Sequence, residues 1–259
     1  MSEKRENRVS IVIPAYNEAS RVGDVLDEIA KERAKSRVSV EVIVVDDGSG
    51  DGTAEVVKKH PHDVLIVHEQ NKGRATAVQT GIQRAGGDYI AVFDADFEYF
   101  PEDLFAAIAT VEMGEPKVVY GSRYRNPSNY DSKFRRRIRR MKDQDFGPWA
   151  ANWLIAAYVG LLYGRFYSEH LSGIRLYPAK FLTGYRWVSS GFEGDHELAA
   201  AAILEGYRVE EVPCGYSARS KSEGKKIRAS DGFRAIGVFT SWRFLGKSRL
   251  RQRAISDAA

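Results

Sequence analysis

The sequence predicts an α/β fold: a Rossmann-like, mostly parallel sheet flanked by helices, with a helical, basic elaboration toward the C-terminus. Three observations predict it. Short β-branched runs alternate with amphipathic stretches through about residue 120, three of the runs end in carboxylates, and the alternation breaks after Arg123 in favour of basic and aromatic segments. Alternating strands and helices favour a parallel sheet, and such sheets bind ligands at the carboxyl ends of their strands.

The elements follow in order. "RVSIVIPAYNE" gives a β-branched run at 9–13, stopped by Pro14 and read as a buried strand entering a loop. Val22, Val25, Leu26 and Ile29 then recur at i, i+3, i+4 and i+7, the spacing of an amphipathic helix. "VEVIVVDDGSGDGT" repeats the theme with a strand at 40–45, two aspartates, a Gly/Ser turn and a helix opening near Asp51 or Thr53. "DVLIVHE" and "GDYIAVFDAD" are the third and fourth strands. In the helix between them Ala77, Gly81 and Ala85 form a narrow stripe, which lets it approach the sheet closely. "KVVYGSR" is a fifth strand. Beyond it come a basic segment, an aromatic and alanine-rich helix over 149–166, a short strand near "SGIRLYP", a helix over 195–204 and a strand "YRVEEVPC".

Composition narrows the class. With 259 residues, 43% hydrophobic and 29% charged, the chain suits one domain with a large core. The lone Cys214 rules out an internal disulfide, no Cys/His cluster has zinc spacing, and a reducing compartment is expected. The first ten residues are charged, so no signal peptide is read there. The longest nearly apolar stretch, 153–163, is short of the roughly 20 residues of a spanning helix, so a chain that does not itself cross a membrane is expected. Net charge is +4, but 133–142 carries +7 and 217–259 carries +8, leaving −11 elsewhere. That polarity suggests an anionic partner for the second half.

The carboxylates carry the chemistry. Asp94 and Asp96 leave a buried strand on alternate residues, and two close carboxylates repel unless a proton or cation intervenes, which suits a hard divalent metal with oxygen ligands. Mg²⁺ usually keeps waters and substrate phosphates in its shell, so the implied ligand is a diphosphate. Asp46 and Asp47 close another strand, and Tyr16, Asn17 and Glu18 follow a third. Each set alone is equally a turn or a cap. In a parallel sheet, all three gather on one edge.

The set "VSIVIPAYNE", "EVIVVDDGSGDGT", "NKGRATAVQTGIQRAGGDYIAVFDAD" and "VVYGSRY" resembles the family-two glycosyltransferases of GT-A fold over residues 8–125. "SGIRLYP", "GFEGDHEL" and "VPCGYSARSKSEGKKI" resemble the dolichyl-phosphate mannose synthase branch. The resemblance implies a nucleotide-sugar-binding half at 8–125, an acceptor-side half at 126–230 and a basic amphipathic segment at 231–259. It implies that Pro14, Ala15, Tyr16 and Glu18 line the base and ribose, that Asp46 accepts a base N–H beside Asp47 and Gly48, and that Lys72 belongs to the donor site. Asp94 and Ala95 would meet ribose and diphosphate, and Asp94, Asp96 and Glu98 would form the surroundings of Mg²⁺ or Mn²⁺. Arg123 and Arg219 would face acceptor phosphate and donor diphosphate, with Lys221, Lys225 and Lys226 in a flexible loop over the diphosphate. Which of Glu193, Asp195 and Glu197 faces the site stays open, with Asp195 the catalytic candidate; His196 reads as a water-exposed histidine at a helix start.

An acceptor phosphate is already anionic near neutral pH and wants arginines rather than a base; a hydroxyl acceptor needs a carboxylate to take its proton. The expected reaction is inverting transfer of a hexose, mannose or glucose, from GDP- or UDP-hexose to dolichyl or polyprenyl phosphate. The alternative is a soluble transferase acting on a glycan or small-molecule hydroxyl. In "SKFRRRIRRMK", Phe134, Ile138 and Met141 form an apolar strip among arginines, and Phe233, Ile236, Phe239 and Trp242 repeat the recipe near the C-terminus. With Trp149, Trp153 and Tyr163 these suit an anionic membrane surface. The expected location is cytoplasmic, peripheral at the cytosolic membrane face, by direct contact or a membrane-anchored partner. No nucleic-acid-binding motif accompanies the basic stretches, so a nucleic-acid partner is not expected.

Overall fold

In a computed structural model of the protein, the structure describes residues 7–111, 116–125, 146–170, 172–183, 185, 189, 193–217 and 229–256. The strands are β1 (Arg8–Ala15), β2 (Ser39–Asp46), β3 (Val64–Val67), β4 (Tyr89–Val92), β5 (Lys117–Ser122), β6 (Arg175–Pro178) and β7 (Arg208–Pro213). The helices are α1 (Val22–Arg33), α2 (Thr53–Val57), α3 (Arg74–Arg84), α4 (Pro101–Ala109), α5 (Phe146–Tyr163), α6 (Ala179–Leu182), α7 (Glu193–Leu204) and α8 (Ala229–Ser256). One seven-stranded sheet runs in the order β3-β2-β1-β4-β6-β5-β7.

Every pairing is parallel except those of β6, which runs antiparallel to both β4 and β5. The reversal matters for function. The carboxyl ends of β1, β2, β3, β4, β5 and β7 lie on one edge, and β6 brings its amino end, with residues 168–174 before it, to that same edge. Strand order also reverses between β1 and β4, the kind of crevice where open α/β sheets take ligands. Pro14, expected to stop β1, instead pairs with Val45 inside it. Val12 accepts the Phe93 N–H and Ala15 accepts the Asp47 N–H. Pro14 therefore faces the side where β4 has ended, and no ladder bond is lost by its missing N–H.

Two apolar layers sandwich the sheet. On one face Val22, Leu26 and Ile29 of α1 and Leu104 and Ile108 of α4 pack on Ile11, Ile13 and Val44. α4 opens with Pro101 at its first turn and Glu102 and Asp103 beside it, a favourable start for a helix. The other face holds α5, α7 and α8, with Ile155, Val159, Ala201, Phe239 and Trp242 against Tyr120 and Tyr177. α3 also packs there, and the stripe read from the sequence has its reason: a Cβ on Gly81 would stand 2.3 Å from Val12 Cγ1.

Two expectations are corrected. Phe239 and Trp242 do not belong to a solvent-facing strip; they are buried between α8, α5 and α7. His196 is likewise buried, under the Phe239 ring at 5.8 Å, because α8 returns to cover the start of α7. The basic segment at 133–142, with Phe134, Ile138 and Met141, lies outside the described residues.

Candidate active site

The β1, β2 and β3 ends are laced together by their own loops. Asn17 adopts φ 54 and Phe97 φ 60, unusual for non-glycine residues, and both sit in turns at the carboxyl edge. Asn17 N–H donates to Ser49 Oγ, Gly50 N–H returns to Asn17 Oδ1, and Glu18 N–H donates to Thr53 Oγ1. Pro14, Ala15 and Glu18 are buried here, while Tyr16 is exposed on the rim. Asp46 is buried, and its Oδ1 accepts the Ser49 N–H.

Asp47 is placed differently from the ligand-facing position the resemblance implies. Its carboxylate accepts the N–H groups of Lys72 at 3.0 Å and Gly73 at 2.8 Å, and His68 Nδ1 at 2.7 Å. It braces the 71–73 loop from beneath. Gly48 (φ 72) touches the same loop, since a Cβ there would be 2.5 Å from the Gln70 carbonyl carbon. The Lys72 side chain is exposed.

At the crevice beside β4, Arg74 is the hub. Its Nε and Nη2 donate to Asp94 Oδ1 at 3.0 and 2.8 Å, and its Nη1 donates to Asp195 Oδ2 at 2.6 Å. Arg175 Nη1 lies 3.4 Å from Asp195 Oδ1, and its Nη2 donates to the His170 carbonyl. Four elements thus meet through two carboxylates and two guanidiniums. Burial disfavours the Arg74 charge, but Asp195 and then Asp94 more than restore it, holding the group above its ordinary value. Burial likewise raises Asp195, yet Arg175 and Arg74 outweigh it and hold the carboxyl below the usual range. Asp195 is an ion at neutral pH. Of its neighbours, Glu193 pairs with Arg234, and Glu197 accepts from Tyr185 Oη and the Ser189 N–H.

Asp96 is half-buried, and its Oδ1 accepts the Glu98 N–H. Glu98, expected near the metal, turns inward and accepts the Tyr216 hydroxyl at 2.9 Å. Among the described residues no group of three or more His, Cys, Asp and Glu side chains forms a metal-binding set. Asp94 Oδ2 is packed so closely that a Cβ on Gly173 would stand 3.0 Å from it and 2.7 Å from the Tyr99 ring.

Arg123 leaves β5 on the same edge. Its Nε and Nη2 form a two-pronged bond to the fully buried Glu169 at 2.7 and 2.6 Å, and its guanidinium lies 4.6 Å from the Tyr216 ring centroid. Burial opposes its charge, Glu169 more than compensates, and the group is held well above its ordinary value. Arg219 and the loop lysines Lys221, Lys225 and Lys226 lie outside the described residues. The sequence patterns do not single out Arg74, Arg175 or Glu169. Arg74 carries one signal, its place directly after Gly73 at the start of a helix on the carboxyl edge; Glu169 has none.

The sequence pattern of glycosyl transferase family 2 matches residues 10–171. An undecaprenyl-phosphate 4-deoxy-4-formamido-L-arabinose transferase of Proteus mirabilis is 34% identical over 140 residues, 52% of this chain and 42% of that protein. The chain therefore aligns with less than half of that relative's length. A UDP-N-acetylglucosamine–dolichyl-phosphate N-acetylglucosaminyltransferase of Methanococcus voltae is 27% identical over 193 residues, 67% of this chain and 70% of the relative. Among solved structures, glucosyl-3-phosphoglycerate synthase of Mycobacterium tuberculosis in complex with UDP superposes with a TM-score of 0.67 at 19% identity, covering 92% of this chain and 80% of that one. The same synthase has been crystallised with Mn²⁺ and UDP and with Mg²⁺ and UDP. Mannosyl-3-phosphoglycerate synthase of Rubrobacter xylanophilus gives 0.65 at 17% identity, covering 94% and 76%. At such identities the likeness is one of fold, the GT-A fold. The family pattern runs from β1 through both carboxylate turns and on past Glu169, well over half of the chain, and the chain belongs to glycosyl transferase family 2.

Proposed function

We propose that this chain transfers a hexose, mannose or glucose, with inversion from a nucleotide-diphosphate sugar to dolichyl or polyprenyl phosphate, working with Mg²⁺ or Mn²⁺. The observation that carries the acceptor is the state of Asp195. Both its oxygens are engaged by arginines and its affinity for a proton is lowered, so it is poorly suited to take a proton from a hydroxyl. A phosphate nucleophile arrives already ionised and needs cations. Arg123, preset by Glu169, offers its guanidinium on the same edge. The names of two relatives, which transfer sugars to undecaprenyl and dolichyl phosphate, support the same acceptor class.

The donor fits the other end of the edge. Tyr16 on the rim and the buried Pro14, Ala15, Glu18 and Asp46 would receive base and ribose, with UDP favoured by the ligand of the solved neighbours. Asp94 and Asp96 are hard, anionic oxygen donors, and a cation completing its shell with water and diphosphate oxygens suits a site with two protein carboxylates. Such a cation supplies charge stabilisation for the departing diphosphate. Arg74 would hold Asp94 in place from behind, and Asp47 would hold the Lys72–Gly73 backbone.

The test is transfer from a panel of labelled nucleotide sugars to a short-chain polyprenyl phosphate in detergent, with Mg²⁺, Mn²⁺ or EDTA. One donor should give an acid-labile glycolipid that EDTA abolishes, and Arg123→Ala should slow it by about 10²-fold or more. Transfer to a hydroxyl acceptor, with none to the lipid phosphate, would remove this acceptor and leave the soluble alternative.

A further inference from the structure

Helix α5 carries no charged residue over its 18 positions, so any face it turns outward is apolar. It turns one outward. Leu154 is 71% and Leu161 87% exposed, seven residues apart and so on one side of the helix. α8 adds Phe233, Phe244 and Leu245, at 78%, 74% and 53%, and Phe166 just after α5 is 55% exposed. The two helices share this surface, because Tyr158, Leu161, Leu162, Arg243 and Phe244 line one concavity of about 250 Å³. Single exposed apolar residues are ordinary; several large ones meeting on adjoining helices mark an interaction surface.

The surrounding charge selects the occupant. Arg243 lines the concavity itself and Arg165 is exposed beside Phe166, and the α8 sequence from 243 to 256 holds five basic residues and no acidic one. Apolar side chains with cationic margins suit an anionic bilayer, the former entering the acyl boundary and the latter meeting headgroups. α5 buries Ile155, Ala156 and Val159 in the core on its other side, and no helix among the described residues is long and apolar enough to cross a membrane. The helix is therefore suited to lying in the interface.

The surface also connects to the candidate site. The Arg123 guanidinium lies 5.5 Å from the Tyr124 ring centroid, Tyr124 meets Trp153 at 5.9 Å, and Trp153 stacks on Phe166 at 5.9 Å. This aromatic run links the Arg123 edge to the exposed apolar face.

We propose that the joined α5 and α8 face is the surface by which this chain lies on an anionic membrane, with the Arg123 edge opening toward lipids in it. The purpose rests on the lipid-phosphate reading above; the binding does not. The full chain should sediment with vesicles containing phosphatidylglycerol, more weakly with pure phosphatidylcholine, and less in high salt. Leu161→Glu and Phe244→Glu, both at exposed positions, should each lower the partition coefficient by about tenfold or more, while thermal melting and transfer to a short-chain acceptor in detergent stay unchanged. Wild-type vesicle partitioning by both variants would overturn the proposal. So would a dimer in light scattering that the same variants dissociate, since a second copy would then own the face. Vesicle binding lost in the variants, with no glycolipid formed by any form of the protein, would sustain the membrane face and remove the acceptor reading.

Discussion

Arg74 stands between Asp94 and Asp195, two carboxylates that would otherwise face each other across the crevice. Removing it leaves two half-buried like charges without their shared cation, with Arg175 still beside Asp195, a loss of at most about 3–5 kcal/mol, the cost of breaking a fully buried pair. Arg74→Ala should therefore lower the urea midpoint strongly and abolish sugar transfer, whereas Arg74→Lys should recover part of the stability without the two-pronged grip on Asp94. His170 is a second residue whose state is set by its surroundings. It is buried against Tyr167 and Phe239, neither ring nitrogen has a hydrogen-bond partner among the described residues, and burial, then His196 and Arg175, push its pKa down to about 3. The unfolded chain binds this proton from about pH 6.5 downward while the folded one does not, so its contribution is full above 6.5 and is lost toward pH 3 at about 1.4 kcal/mol per unit. Stability measured against pH should fall less steeply below 6.5 in His170→Phe than in the parent. Equal slopes would show that the imidazole is not held neutral.

Two glycines carry predictions at the scale of elements. Gly81→Ala should cost about 1–3 kcal/mol in chemical denaturation despite alanine's better helix propensity, because its Cβ drives α3 off Val12. Gly173→Ala crowds Asp94 and Tyr99 at once, so it should depress transfer more than stability. The first strain was legible in the sequence, as a small-residue stripe at helical spacing, and so were the strands that lead into Asp46, Asp94 and the Tyr16 turn. The rest depended on residues far apart in the chain. Arg123 meets Glu169 across 46 positions and Arg74 meets Asp195 across 121, and no local pattern records either pair. β6 is four residues long, too short for periodicity to give its direction. α8 is apolar on more than one side, so spacing did not show that Phe239 and Trp242 turn inward while Phe233 and Phe244 turn out. Asp47 reads like a ligand-facing acid beside Asp46, and only the fold shows it spent on the Lys72–Gly73 backbone.

At the scale of the whole molecule, α8 is structural as well as basic. It buries Phe239 and Trp242 against α5 and α7, so a chain cut before residue 229 should lose cooperative unfolding rather than merely the proposed membrane-facing surface. The sheet then gathers six strand ends and the 168–174 segment around one edge, negative at Asp94 and Asp96 and positive at Arg74, Arg123 and Arg175. That pattern suits a metal-bound diphosphate meeting an anionic acceptor, and its core is the dependence of nucleotide binding on the two strand-end aspartates and a cation. Calorimetric titration of the purified chain with UDP and GDP, in Mg²⁺ or Mn²⁺ and again in EDTA, tests this most directly. One nucleotide should bind with metal, and EDTA or Asp96→Asn should weaken that binding by about tenfold or more. Binding indifferent to both metal and Asp96, or none by either nucleotide under any condition, would contradict that dependence.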